Sequence, residues 1–204
     1  MGYGDIMTVI TSGASDHTAR AYGKELRAGV PASQKMAKDD LGNMEKYKTI
    51  IENVAKRHDV DPALIAGIIS RESEAGHSIK NTAPPGWGDN YNAFGLMQVD
   101  KRWHKPRGAW DSEKHLDQAT GILVDLIKHV QKERPNWSTN WQLKGAIAAY
   151  NMGYKVLDHP AHNVDQITTG GDYSSDVVAR AQWYKENLFK AGILENIVSY
   201  FWPW

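Results

Sequence analysis

Cysteine is absent from the 204 residues of this chain. Its absence excludes disulfide bonds, catalysis by a thiol and zinc sites built from thiolates. It is compatible with a reducing compartment without requiring one. Stability must therefore come from the packing of a core, and a chain of this length is long enough to bury one.

Net charge and long apolar runs are also missing. The 24 lysines and arginines are balanced by 24 aspartates and glutamates, which argues against a nucleic-acid-binding protein, since such proteins need excess cations to neutralise phosphates. No apolar run reaches the length of about 20 residues that crosses a bilayer, so we expect no integral membrane association. The first residues, MGYGDIMTVITSGASDH, lack a basic segment followed by an apolar one and predict no signal peptide.

The length suits one domain or two small lobes, and the patterning predicts a mostly helical chain with one glycine-rich, strand-like insertion and with residues 1–30 largely irregular. Apolar positions recur every three to four residues in five later stretches, which predicts helices: SQKMAKDDLGNMEKYKTIIENVAKRHDV, DPALIAGIISRESEAG, EKHLDQATGILVDLIKHVQKERP, WQLKGAIAAYN and DYSSDVVARAQWYKENLF. Residues 80–111 are rich in Gly, Pro, Asn and Trp, which is typical of loops and short strands. Residues 190–204 form an apolar C-terminal extension that is too short to span a membrane.

Local signals predict where individual helices begin and end. Asp61 followed by Pro62 combines an N-cap side chain with a proline at the first helical position. Gly76 supplies an end for that helix. Further along, Thr139 with Gln142 matches the capping-box pattern at the start of another helix.

Glu72 and Glu74 stand at the end of the most apolar predicted helix. A helical residue shares a face with the residues three and four positions before it, and for Glu72 these are Ile68 and Ile69, whereas Glu74 follows polar residues. Desolvation against apolar side chains disfavours the charged carboxylate and raises its pKa. We therefore expect a raised pKa for Glu72, which would let it act as a general acid near neutral pH.

This pattern has an ordinary alternative, because glutamates at helix ends commonly turn to solvent and because Arg71 or Arg180 can pair with Glu72 and keep it ionised. The residues that follow favour catalysis. Asp89 and Asp100 lie in GWGDNYNAFGLMQVD, where glycines let the backbone approach a ligand closely. One buried acid with further carboxylates nearby is the arrangement that glycoside hydrolysis uses. Taken alone, Asp89 also fits an ordinary turn aspartate.

Six stretches of the chain together resemble the goose-type lysozymes of glycoside hydrolase family 23: IAGIISRESEAG, GWGD, FGLMQVDKR, HKP, QLKGAIAAYNMG and DYSSDVVARAQWY. The match runs from about Lys35 to Tyr184, most of the chain, and follows the family's order. The resemblance implies a single lysozyme-like α+β domain over residues 1–204, mainly helical, with a small antiparallel sheet beside the active-site cleft. It also implies hydrolysis of the β-1,4 bond between N-acetylmuramic acid and N-acetylglucosamine in bacterial peptidoglycan, with N-acetylglucosamine oligosaccharides as ligands and without a cofactor.

The same resemblance implies roles for single residues. The glutamate of RES falls on Glu72, which would be the general acid. The aspartates of GWGD and QVD fall on Asp89 and Asp100, which would hold and activate the attacking water and so invert the anomeric carbon. Which aspartate dominates stays open at this point.

Further matching positions are expected to bind substrate. Tyr150 matches a tyrosine beside the catalytic glutamate, and its place on an apolar helix face makes Glu72 the expected partner of its hydroxyl. His104 matches a histidine near the sugar-binding subsites. The other candidates would offer hydrogen bonds or aromatic rings to sugars: Gln98, Asn151, Phe94, Trp103 and Tyr173. For each of them the plainer interpretation is a core or surface-loop residue.

Two other functions stay open. A lytic transglycosylase needs the acid but no water-activating carboxylate, so the presence of both Asp89 and Asp100 favours hydrolysis. A catalytically inactive sugar-binding protein on the same scaffold is disfavoured, because all three carboxylates are present.

The chain departs from the family's pattern in several respects. It lacks the cysteines of avian forms and in this resembles fish members, and Thr82–Pro85 looks like an insertion. We expect a monomer without a metal site, since the histidines lack metal-binding spacing. The resemblance implies an extracellular protein, with an intracellular form as the alternative because no signal peptide is recognised.

Overall fold

The computed structural model describes residues 3–190, so most of the predicted C-terminal extension lies outside the described residues. Within that range the chain forms seven α-helices: α1 (Asp16–Tyr22), α2 (Val30–Met44), α3 (Lys48–His58), α4 (Pro62–Ser73), α5 (Glu113–Glu133), α6 (Thr139–Met152) and α7 (Tyr173–Asn187). Three short strands lie between α4 and α5: β1 (Trp87–Gly88), β2 (Ala93–Phe94) and β3 (Val99–Asp100). None of the helices in residues 3–190 is both long and apolar enough to cross a membrane.

The three strands form one antiparallel sheet in the order β1-β2-β3. Gly88 pairs with Ala93, which in turn pairs with Asp100. The chain therefore leaves β1 and β3 at the same end of the sheet. The predicted mainly helical α+β fold with a small antiparallel sheet is confirmed.

The termini of two helices differ in detail from the sequence signals. Asp61 caps α4 as expected, since its side chain accepts a hydrogen bond from the Ala63 N–H. However, α4 ends at Ser73, and Glu74 takes the left-handed conformation with φ of 50°, so the prediction that Gly76 closes the helix is wrong. The N–H of Gly76 instead donates to the Ser73 side chain.

The start of α6 lies one residue earlier than the capping-box signal. Ser138 is the N-cap, and its hydroxyl accepts a hydrogen bond from the Trp141 N–H at 3.3 Å. Thr139 is already helical, so the predicted box with Gln142 does not form. The stretch Ser-Thr offers two equivalent capping hydroxyls in succession, and the sequence pattern selected the wrong one.

The N-terminal segment contains a short helix that its weak periodicity did not indicate. Ser15 caps α1 through a hydrogen bond from the Thr18 N–H to its hydroxyl at 3.2 Å. Of the helical residues in α1 only Ala19 is buried. A helix with one buried position leaves almost no periodic apolar signal to read.

Helix α4 lies at the centre of the core and packs most extensively against α7. Nearly every residue from Ala63 to Ser70 is buried, as expected for a helix that is apolar on all sides. Gly67 permits the close approach, because a Cβ built there would lie 2.8 Å from the Val177 carbonyl oxygen and 2.9 Å from the Ala181 Cβ.

Buried charges also hold α4 against α7. Arg71 pairs with Asp176 at 2.6 Å and with Asp172 at 3.0 Å, while Arg180 pairs with Asp176 at 2.9 Å and lies 3.9 Å from Asp40 of α2. Burial alone would raise the pKa of Asp176, but the charges of Arg180 and Arg71 outweigh it and lower that pKa. Removing one partner from such a buried network typically costs about 3–5 kcal/mol, because the others are left uncompensated.

We expect Gly67→Ala to lower the free energy of unfolding by about 1–3 kcal/mol, since the added methyl group meets backbone of α7 that cannot move aside. Gly42→Ala is the matched control, because Gly42 is exposed within α2 and a Cβ there has nothing within 4 Å. The control should gain about 0.5–1 kcal/mol from helix propensity. Chemical denaturation measures both, and equal stability of Gly67→Ala and the parent chain would contradict the close contact.

Candidate active site

Glu72 occupies the last turn of α4, and the residue is half-buried. Burial raises its pKa to about 7, while a hydrogen bond from the Tyr173 hydroxyl and the charge of Arg71 act in the opposite direction. The raised pKa expected from the isoleucine neighbours is confirmed. Near neutral pH this carboxyl therefore exists in both its protonated and its ionised form.

The ordinary alternative, in which an arginine holds Glu72 ionised, does not describe this structure. Arg71 directs its guanidinium to Asp172 and Asp176, and Arg180 directs its own to Asp176. Neither arginine makes an ion pair with Glu72 among the contacts of residues 3–190. The carboxyl is thus left to respond mainly to its desolvation.

Tyr173 holds the Glu72 carboxyl from the first turn of α7. Its hydroxyl donates to Oε1 of Glu72, and its side chain is only 1% exposed. The guanidinium of Arg71 lies 5.5 Å from the centre of the tyrosine ring. With no open face, the ring cannot stack on a sugar, so the expected role of Tyr173 as an aromatic platform is corrected to that of a hydrogen-bond donor to Glu72.

Tyr150 does not make the hydrogen bond that its helix position suggested. Its hydroxyl donates to the Met97 carbonyl oxygen at 2.8 Å rather than to Glu72. Burial, and then the nearby charge of Glu72, raise the pKa of Tyr150 well above its ordinary value. The residue therefore lies beside Glu72, as expected, but binds the backbone that leads from β2 to β3.

Side chains from three helices hold the backbone of residues 96 and 97 in place. The Ser73 hydroxyl donates to the Leu96 carbonyl at 2.8 Å, and the Met97 N–H donates to Nε2 of His115 at 3.1 Å. Together with the bond from Tyr150, these contacts secure residues 96 and 97 from α4, α5 and α6. Sequence reasoning missed Ser73 and His115. The sequence did contain one indication of His115, because it is a polar residue within the apolar face of α5.

His115 accepts a hydrogen bond through Nε2, which requires the neutral tautomer with its proton on Nδ1. Burial lowers its pKa to about 4, so the ring stays uncharged at neutral pH. Gly95, with φ of 80°, approaches the ring so closely that a Cβ there would overlap it. Glycine is thus required on the strand side of this contact.

Asp100 ends β3 and is bound on both carboxylate oxygens by Arg102. The Arg102 Nε lies 2.9 Å and 3.1 Å from the two oxygens, and a terminal nitrogen lies 2.6 Å from Oδ2. These hydrogen bonds lower the pKa of Asp100. The carboxylate therefore remains ionised at neutral pH, in contrast to Glu72.

Asp89 follows β1 in a turn of unusual backbone conformation. Asp89, Asn90 and Tyr91 have φ of 48°, 52° and 69°, a left-handed run that non-glycine residues rarely adopt. Aromatic stacking braces the turn, since the rings of Trp87 and Tyr91 lie 4.0 Å apart and the Lys101 Nζ lies 3.9 Å from the Tyr91 ring centre. Asp89 is exposed and leaves the sheet at the same end as Asp100.

The remaining sequence candidates differ in what they can offer a ligand. Gln98 donates to the Gly95 carbonyl at 2.9 Å, and Asn151 accepts from the Thr169 N–H at 2.9 Å, so each amide retains unused hydrogen-bonding groups. His104 is exposed, and its backbone N–H donates to the Asp100 carbonyl at 3.0 Å.

The two aromatic candidates of the sheet region are unequal. Phe94 is half-buried, with its ring centre 4.8 Å from that of Trp87 and 5.8 Å from that of His115. Trp103, by contrast, is 80% exposed. Trp103 therefore has far more open ring surface than Phe94.

We expect Tyr173→Phe to raise the pKa of Glu72 above its value of about 7, because the lost hydrogen bond favours the ionised carboxylate. A ¹³C-NMR titration of the Glu72 carboxyl carbon measures the change. Tyr150→Phe is the matched control, since the Tyr150 hydroxyl binds the Met97 carbonyl instead, and it should move this pKa less. A pKa that falls in Tyr173→Phe, or moves equally in both variants, would contradict the assigned bond.

Known proteins similar to this chain in sequence identify its family. The sequence model of the family described as lysozyme g matches residues 3–188. The chain is 53% identical to a lysozyme g of Epinephelus coioides over 195 residues, which cover 91% of this chain and 97% of that protein. It is 51% identical to a lysozyme g of Takifugu rubripes, with 92% and 99% covered, and 48% identical to one of Gallus gallus, with 91% and 85% covered. With the family matched over nearly its whole length, the chain belongs to the lysozyme g family.

Proposed function

We propose that this chain hydrolyses the β-1,4 bond between N-acetylmuramic acid and N-acetylglucosamine in bacterial peptidoglycan, and so lyses bacterial walls. As a member of the lysozyme g family it is a glycosidase of the lysozyme type. The observation that carries the proposed reaction is the raised pKa of the Glu72 carboxyl, about 7, on a residue that is half-buried. A glycosidase needs such a group to protonate its leaving oxygen near neutral pH.

Glu72 acts as the general acid. Its proton passes to the glycosidic oxygen while the bond from that oxygen to the anomeric carbon breaks. Because Oε1 accepts the hydrogen bond from Tyr173, the proton to be donated sits on Oε2. Tyr173 thereby orients the acid, and on this proposal it touches the catalytic carboxyl rather than the sugar.

Asp89 and Asp100 hold the attacking water on the opposite face of the sugar. Arg102 occupies both oxygens of Asp100 and keeps that carboxylate ionised. The Asp89 carboxylate makes no hydrogen bond or ion pair within residues 3–190, so its lone pairs are available to the water. We therefore assign proton acceptance mainly to Asp89 and orientation of the water to Asp100. This arrangement inverts the anomeric carbon, for which the acid and the base stand about 6.5–9.5 Å apart.

The proposed substrate contacts come from side chains that are exposed or half-buried. We propose that Gln98, Asn151 and His104 hydrogen-bond to sugar substituents and that Phe94 and Trp103 pack against sugar rings. Trp103, at 80% exposed, has the larger open face. Tyr150 supports the segment after β2 through Met97 and borders the same site. All of these groups come from one chain, so we propose that a monomer is active and that it acts on walls outside the cell that produces it.

A transglycosylase would leave the two aspartates without a role. In that reaction the 6-hydroxyl of the muramic acid attacks internally and no water is activated. The paired carboxylates at one end of the sheet support hydrolysis instead.

Glu72→Gln should reduce the release of reducing ends from purified peptidoglycan by at least about 10²–10⁴-fold, since the variant has no proton to donate. Glu74→Gln is the matched control two residues further along the chain, and it should retain activity. Anomeric NMR of the parent enzyme's first products should show the α-anomer. Anhydro-muramic ends would instead identify a transglycosylase, and full activity of Glu72→Gln would refute the mechanism.

Arg102→Met should shift the acidic limb of the pH–rate profile to higher pH. The arginine lowers the pKa of Asp100, so its loss lets Asp100 become protonated, and stop accepting a hydrogen bond, at a higher pH than in the parent enzyme. Arg27→Met, an exposed arginine whose guanidinium binds only the Lys24 carbonyl within the described chain, should leave the profile unchanged. An unmoved acidic limb in Arg102→Met would exclude an ionised Asp100 from the reaction.

A further inference from the structure

A concave surface lies next to the proposed active site, between the loop of residues 103–108 and the first turns of α5. It encloses about 740 Å³ and is open to solvent. Its charged side chains are Lys105, Arg107 and Lys114, and His104 and Trp103 complete one wall. We call this surface, defined by those five residues, the basic groove.

The three cations of the basic groove have no acidic partner in the described part of the chain. Within residues 3–190 no carboxylate forms an ion pair with Lys105, Arg107 or Lys114, and neither Asp nor Glu lines the groove. The acidic residues nearest along α5, Glu113 and Asp117, are engaged elsewhere by Arg57, at 2.7 Å in each case. In a chain whose charges balance overall, this local excess leaves a positive potential directed at solvent.

The loop that carries two of these cations is held in place from below. The Gln118 side chain accepts a hydrogen bond from the Arg107 N–H at 2.9 Å and donates to the Lys105 carbonyl at 2.8 Å. Because both bonds go to the backbone, the lysine and arginine side chains remain free for a ligand. A loop already held in its binding conformation loses less entropy when the ligand arrives.

The basic groove is continuous with the candidate water-activating residue. The Asp100 carbonyl accepts hydrogen bonds from the Trp103 N–H at 3.2 Å and from the His104 N–H at 3.0 Å. A wall strand cleaved beside Asp100 would therefore have its neighbouring substituents close to Lys105 and Arg107.

We propose that the basic groove binds phosphodiester groups of anionic polymers attached to bacterial walls, and thereby holds the enzyme beside the bond that it cleaves. The inference rests on the proposed function for the substrate, but not on the catalytic roles of the carboxylates. Arginine and lysine are the side chains that bind phosphate best, as a fork and as a point charge. Three cations in one open groove suit a polymer with a negative charge on each repeating unit better than they suit a ligand with a single carboxylate.

The test compares two triple variants of equal net charge. Lys105→Gln with Arg107→Gln and Lys114→Gln neutralises the basic groove, while the control neutralises three exposed cations elsewhere: Lys24→Gln, Arg27→Gln and Lys38→Gln. Each is assayed on walls that carry phosphodiester polymers, on the same walls after hydrofluoric acid removes those polymers, and on an N-acetylglucosamine hexamer. Cosedimentation with each wall preparation measures binding separately from cleavage.

On the untreated walls the groove variant should bind and cleave about tenfold less well than the parent, since each exposed charge pair contributes modestly. Added salt should shrink the difference by screening. On stripped walls and on the hexamer the groove variant should equal the parent, and the control variant should do so on all three.

Two outcomes would overturn the proposal: equal binding of the groove variant and the parent on untreated walls, or a deficit that persists on stripped walls. The second would assign the groove to carboxylates of the wall peptides instead. Failure of the proposed function gives a different result, because the parent chain would then cleave neither the stripped walls nor the hexamer, while cosedimentation would still report on the groove.

Discussion

The close packing of α4 against α7 is the constraint on which the site depends. Gly67 lets the two helices approach, and the buried charges of Arg71, Asp172 and Asp176 set their register. Glu72 lies one residue beyond Arg71 on α4, and Tyr173 lies one residue beyond Asp172 on α7. The interface that stabilises the core therefore also brings the candidate acid and its hydrogen-bond donor together, and neither could shift without disturbing the ion pairs next to it.

Two opposite electrostatic environments exist within this site. Glu72 is desolvated and accepts a hydrogen bond from one neutral donor, the Tyr173 hydroxyl, so that its pKa is near 7. Asp100 is held by a guanidinium at the edge of the sheet and stays ionised. On the proposed mechanism, Glu72 donates its proton and the ionised Asp100 orients the water, and each protonation state arises from the surroundings of the residue rather than from its type.

The α+β fold class was implied by the family resemblance, whereas the positions of most helices and the raised pKa of Glu72 could be predicted because they depend on local spacing. Ile68 and Ile69 precede Glu72 on one helical face, and that proximity holds in any packing of the helix. The hydroxyl partners of Tyr150 and Tyr173 could not be predicted in this way. Both tyrosines face Glu72, and which of them binds it depends on where the Met97 carbonyl lies, a position set by β2, β3 and three different helices.

His115 and the turn after β1 were missed for a related reason. A buried neutral histidine differs from a surface one only through its neighbours, here the Met97 N–H and the backbone of Gly95. Asp89, Asn90 and Tyr91 contain no glycine to signal their left-handed conformation. Such a conformation is maintained by tertiary contacts that exist only in the folded chain, namely the stacked rings of Trp87 and Tyr91.

That turn has a consequence for how the enzyme responds to heat. Glu72 is carried by a helix buried on all sides, whereas Asp89 belongs to a turn of three left-handed residues braced by the stack of Trp87 on Tyr91 and by Lys101 over the Tyr91 ring. Left-handed non-glycine residues relax when their bracing contacts loosen, and local opening needs far less free energy than global unfolding. On warming, the turn that carries Asp89 should therefore lose its conformation before the core around Glu72 unfolds. Catalytic activity would then be lost reversibly at temperatures where the helices are still intact.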